Sequence, residues 1–139
     1  MARILAIDYG LKRTGLAVTD PFKMVATGLA TVESKEVIAY LRQYLQAEPV
    51  ELFIIGDPRN LDNSATHGTP LVAAFVKQLN QQFPDMPVLK MDERFTSKMA
   101  LQSIRQTVTK KKDRRNKALV DEIAATILLQ DYLTQISHH

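Results

Sequence analysis

"RILAIDYGLKRTGLAVTD", residues Arg3 to Asp20, is an apolar run that stops on one carboxylate, meets a glycine two places later, and begins a second apolar run. Ile4, Leu5, Ala6 and Ile7 are continuous, the pattern of a strand covered on both faces, so Arg3–Tyr9 is predicted as a buried strand. The turn GLKRTG is short and has glycine at both ends, Gly10 and Gly15. That predicts an antiparallel hairpin into a second strand over Leu16–Thr19. Asp20-Pro21 then turns the chain into a third strand, Val25–Val32.

Beyond this meander the pattern alternates. Ser34 is the expected N-cap of a helix over Lys35–Gln46, with Val37, Ile38, Leu41 and Leu45 at helical spacing. ELFIIGDP is a short buried strand stopping at Gly56, with Asp57 after it and Pro58 barring continuation. The polar loop RNLDNSATHG, Arg59 to Gly68, leads to a helix over Pro70–Gln82. PVLKMDER is the fifth strand. Thr96 or Ser97 caps a helix towards Val108, and a basic loop leads into a final helix over Lys117–Ile136. Residues 1–139 therefore read as a single α/β domain: a mixed five-stranded sheet, its first three strands an antiparallel meander, with helices on both faces.

Composition narrows the classes. The 45% apolar and 24% charged fractions are those of an ordinary globular chain, long enough to bury a real core. No apolar stretch reaches the roughly 18 residues of a membrane span, and the start lacks signal-peptide architecture, so no membrane partner and a cytoplasmic location are expected. Cysteine is absent, which removes disulfides, thiolate metal sites and thiol nucleophiles. The net charge of +3 is concentrated in KKKDRRNK, Lys110 to Lys117, which carries +5 and leaves −2 for the rest. Such a run is either a solvated surface loop or a phosphate-contacting one.

The acids carry the chemistry. Asp8 ends strand one, Asp57 follows strand four, and Asp92 and Glu93 end strand five. Side by side, those strands would bring their terminal carboxylates together, where mutual repulsion is unfavourable without a hard divalent cation such as Mg²⁺ or Mn²⁺. In ALVDEIAATILLQDYL, Asp121 falls at about 100° per residue between Leu128 and Tyr132, inside the apolar arc. An inward aspartate costs several kcal/mol unless something pairs with it. Ala124 and Ala125 would let this helix approach the sheet closely, while Glu122 falls on the polar side and Asp131 near the frayed end. Plainer roles stand beside these: Asp8 capping a turn, Glu93 pairing with Arg94 or Lys90, Asp121 favoured by a helix N-terminus, Asp57 and His67 as loop residues, and His138 and His139 as tail.

As a set, the motifs resemble the YqgF (RuvX-like) family. They are DYGLKRTGLA from Asp8 to Ala17, GDP from Gly56 to Pro58, DERFTS from Asp92 to Ser97, and VDEIAATILL from Val120 to Leu129. Its members are Holliday-junction resolvase-like nucleases, also implicated in maturing the 5′ end of pre-16S ribosomal RNA. The resemblance implies an RNase H-like fold and a metal-dependent acidic triad at Asp8, Glu93 and Asp121. Gly10 and Gly15 match the hairpin glycines, Arg13 the basic hairpin residue, and Thr96 the hydroxyl after Glu-Arg. Asp57 stands where the family commonly has leucine, and the loop from Arg59 to Gly68 departs from the family's shorter segment.

The expected reaction is phosphodiester hydrolysis by two Mg²⁺ or Mn²⁺ ions, with Asp8 bridging them and Glu93 and Asp121 each completing one. Arg13, Arg94, Lys110, Lys111, Lys112, Arg114 and Arg115 are the candidate nucleic-acid contacts, with Arg94 alternatively orienting Glu93. Structured RNA and branched DNA are the expected substrates, and a monomer or a homodimer is the expected acting unit. A binding factor without catalysis shares the same residues and would be separated by metal titration. A sugar-kinase or actin-like ATPase needs two such domains, and a phospho-accepting receiver needs an acidic pair after strand one. Neither fits 139 residues opening on a lone Asp8.

Overall fold

The computed structural model describes residues 2–57, 68–92 and 114–137, the side chains of 92 and 114–120 excepted. In chain order these form β1 (Arg3–Tyr9), β2 (Arg13–Thr19), β3 (Ala26–Glu33), a 3-10 turn (Ser34–Glu36), α1 (Val37–Ala47), β4 (Val50–Asp57), α2 (Gly68–Gln82), β5 (Val88–Asp92) and α3 (Arg114–Ser137). The strands make one five-stranded sheet in the order β3-β2-β1-β4-β5. β1 to β3 pair antiparallel as a meander, while β1–β4 and β4–β5 pair parallel. This is the mixed α/β sheet expected from the pattern.

The pleat sorts the core into two layers, because successive strand residues face opposite sides. Leu5, Ile7, Leu16, Phe53 and Ile55 pack with Val37 and Leu41 of α1 and Val72, Phe75 and Leu79 of α2. Ile4, Ala6, Ala17, Ile54 and Met91 pack on the other side against Ala125, Leu128 and Leu129 of α3. Each fully buried leucine or isoleucine contributes about 1.5–3 kcal/mol through removal from water. Helices therefore cover both faces, as the continuous apolar strands require.

Several boundaries differ from expectation for identifiable reasons. β2 begins at Arg13 rather than Leu16, since the hairpin is closed as far as Tyr9↔Thr14. Asp57 is the last residue of β4, paired in register with Asp92, and does not follow the strand. Ser34 does not cap α1, whose N-cap is Glu36 without a side-chain bond. Its buried hydroxyl serves the hairpin instead: Ser34 Oγ donates to the Gly10 carbonyl at 2.5 Å, which leaves Thr14 Oγ1 to donate to Ser34 Oγ at 2.8 Å. α3 begins at Arg114, so Arg114, Arg115 and Lys117 start a helix and do not belong to a loop. The helix expected from Thr96 or Ser97 to Val108 lies outside the described residues, as do His67, His138 and His139.

The β2–β3 turn is held by one carboxylate. Asp20 accepts backbone N–H bonds from Phe22, Met24 and Val25, and these hold its carboxyl below the ordinary aspartate value, Val25 contributing most. Lys23, at the turn, takes the left-handed conformation with φ of 60°.

Candidate active site

Asp8 is the sixth residue of β1, and the pleat places it with Ile4 and Ala6 on the side covered by α3. Its cross-strand partner on β2 is Gly15. A Cβ at Gly15 would lie 1.9 Å from the carbonyl oxygen of Asp121, so α3 rests backbone-to-backbone on β2 at this point. Only glycine permits that approach. One turn on, Ala124 and Ala125 are buried and keep the helix close. The glycine expected to shape a hairpin therefore seats a helix beside the Asp8 strand end.

Asp121 meets Arg13 there. Arg13 Nε donates to Asp121 Oδ2 at 2.8 Å, across 108 positions of sequence, with the Asp121 side chain 16% exposed and that of Arg13 45% exposed. Arg13 and Gly15 share a face by strand alternation, which aims the guanidinium at α3. The inward aspartate is thus charge-paired, satisfying the demand its position makes. Arg13, expected on phosphate, is engaged with a carboxylate in this structure. Nothing local in the sequence signals that pairing.

The other acids distribute differently. β1, β4 and β5 are adjacent and parallel, so their carboxyl ends share one edge of the sheet. Asp57 nonetheless shares parity with Phe53 and Ile55, which places it on the α1 and α2 side, opposite to Asp8. It is buried and takes no part in the Asp8 face. Glu122 is not on the polar side: its side chain lies over Gly28 of β3, with Oε2 3.4 Å from where a Cβ would stand. Glu93, Arg94, Lys110, Lys111 and Lys112 lie outside the described residues, as do the side chains of Arg114 and Arg115. Met91, two positions before Glu93, faces α3. Among the described residues no group of three metal-ligating side chains is gathered. Asp8 and Asp121 do supply hard carboxylate oxygens on one face, the donor chemistry that suits Mg²⁺ or Mn²⁺.

A protein named "Putative pre-16S rRNA nuclease" from Flavobacterium psychrophilum is 52% identical over 135 residues, 97% of this chain and 98% of that protein. Its namesake from Christiangramia forsetii is 52% identical over 133 residues, 96% of this chain and 98% of that protein. Among solved structures, the Fowlpox virus resolvase in complex with Holliday junction DNA matches with a TM-score of 0.53. That match covers 96% of this chain and 98% of the resolvase at 13% identity, a likeness of fold, and the α/β arrangement is RNase H-like. The model of the RuvX family, described as Holliday junction resolvase, matches residues 2–135, and the chain belongs to that family.

Proposed function

We propose that this chain is a divalent-cation-dependent nuclease that hydrolyses phosphodiester bonds, with the 5′ end of precursor 16S ribosomal RNA as its substrate. The observation that carries this is the meeting of the Asp8 strand end with Asp121 through Gly15. Two acids far apart in sequence share a face of the sheet, at the strand edge where such folds place their ligands. The names of the full-length relatives supply the substrate class.

Asp8, Glu93 and Asp121 would hold the cations, with Glu93 contributed from directly after β5. A bound pair of such ions makes an attacking water nucleophilic and stabilises the departing oxyanion. The protein's own residues do the positioning. Arg13 holds Asp121 in one orientation by its 2.8 Å bond. Gly15 fixes the depth of α3 over the sheet. Arg114, Arg115 and Lys117 open α3 within about 10 Å of Asp121 along the helix axis, at 1.5 Å per residue. Cations beside the positive end of a helix dipole favour a phosphate as neighbour, and this supports a substrate path along the start of α3.

The family's description favours branched DNA as a second substrate. Incubating the protein with a structured RNA carrying the precursor 5′ sequence, and with a four-way DNA junction, in Mn²⁺, Mg²⁺ or EDTA, separates the two. Cleavage of RNA alone, abolished by EDTA, is the expected result. Asp8→Asn should lower it by roughly 10²–10³-fold, several kcal/mol of lost transition-state stabilisation. An Asp8→Asn protein that cuts as fast as the unaltered one would remove the assignment.

A further inference from the structure

Leu11, Lys12, Arg13, Glu33 and Lys35 line a concavity at the hairpin end of the sheet. Three cations face it against one carboxylate. Arg13 is engaged with Asp121, so Lys12 and Lys35 supply the charge available to a ligand. Lys35 Nζ lies 3.4 Å from Glu33 Oε2, an exposed pairing that an incoming anion can replace. Leu11, beside them, is 75% exposed, an aliphatic group left on the surface at the tip of the hairpin.

The backbone holding the two lysines is fixed. Ser34 N donates to the Lys12 carbonyl at 2.9 Å, and Ser34 Oγ donates to the Gly10 carbonyl. Lys35 follows Ser34 directly, so one buried serine sets the spacing between the hairpin tip and the end of β3. Lys12 is four residues past Asp8, and a fully extended chain of that length spans at most about 14 Å. Consecutive phosphates along one duplex strand advance about 3.4 Å each, so the concavity lies within a few nucleotides of Asp8.

We propose that this concavity is a phosphate-binding subsite for the backbone of the same nucleic-acid strand that is cut at Asp8. Lys12 and Lys35 each hold a backbone phosphate, Leu11 packs on the adjoining sugar or base, and Glu33 opposes binding by holding Lys35. The subsite reads charge and spacing, so it is indifferent to sequence. This assignment rests on the nuclease function above for its choice of ligand.

The test measures binding without cleavage. A fluorescein-labelled single-stranded RNA 12-mer is titrated with protein in EDTA across a range of salt concentrations, with anisotropy as the readout. For the double variant Lys12→Gln/Lys35→Gln, the slope of log K against log salt should fall by about 1.4, some 0.7 for each phosphate no longer neutralised. At 0.1 M salt that amounts to roughly 25-fold weaker binding. Glu33→Gln should act in the opposite sense and tighten binding. Because all three side chains are exposed, thermal midpoints should match the unaltered protein, and the single lysine variants carry the same test should the double one unfold. An unchanged slope, tighter binding of an acidic peptide than of RNA, or no RNA binding by the unaltered protein would each overturn the subsite. A reduced slope in a protein that cuts nothing would leave the subsite standing and remove the nuclease function; intact cleavage with an unchanged slope would do the reverse.

Discussion

A methyl group at position 15 would stand 1.9 Å from the Asp121 carbonyl, so Gly15→Ala cannot be accommodated by a side-chain rotation. The helix has to lift from β2, with a cost of about 1–3 kcal/mol or more, as in other overpacked sites. Calorimetry should show the lower midpoint, and cleavage should fall further than stability does because Asp121 moves with the helix. Arg13→Gln tests the neighbouring ion pair. It leaves Asp121, 16% exposed, without its guanidinium. A hydrogen bond to a charged group is worth about 1.5–3 kcal/mol, and the exposure of Arg13 reduces that to about 1. The midpoint should fall by about 3–5 °C without metal. Mn²⁺ should then raise the midpoint of Arg13→Gln more than that of the unaltered protein; equal shifts would place the ion away from Asp121.

Among the elements, the β2–β3 turn responds to acid. The Asp20 carboxyl sits below its ordinary value of 3.8 because backbone N–H groups, that of Val25 foremost, stabilise the anion. A depressed carboxylate contributes stability above its unfolded value and loses that contribution as pH falls through the folded one. The turn should therefore loosen below pH 3.8, seen as faster exchange of the Met24 and Val25 amides, and Asp20→Asn should remove that pH dependence. Strand and helix identities are legible in the sequence because alternation and helical spacing are local. The unbroken apolar run alone bounds β1 at Arg3–Tyr9. Ser34 reads as a helix cap from its position, yet its hydroxyl is used by Gly10 and Thr14, 24 and 20 positions away. Asp57 reads as a companion of Asp8 because adjacency of strand ends can be guessed. The face each end presents depends on registers that only pairing reveals. Helical periodicity does bring Asp121 inward, but no spacing of any kind points to its partner Arg13.

At the level of the whole molecule, positive charge is concentrated in one short stretch of the sequence. Lys110 to Lys117 carries +5 while the remainder carries −2. α3 begins inside that segment, so part of the basic run is delivered by the helix that also carries Asp121. Replacing Lys110, Lys111 and Lys112 with glutamine should flatten the salt dependence of RNA binding by about 0.7 for each phosphate those lysines neutralise, leaving melting in Mn²⁺ unaltered. An unchanged slope would assign those lysines to solvent. No described helix is long and apolar enough to cross a membrane.

The seat that Gly15 provides for α3 has a bearing on the order in which the fold assembles. Hairpin contacts around Asp8 close early, since they join neighbours in sequence, whereas Arg13 must find Asp121 across 108 positions and bear the entropy of that long loop. In refolding from denaturant, amides of the β1–β2 pairing should therefore gain protection from exchange before those of α3.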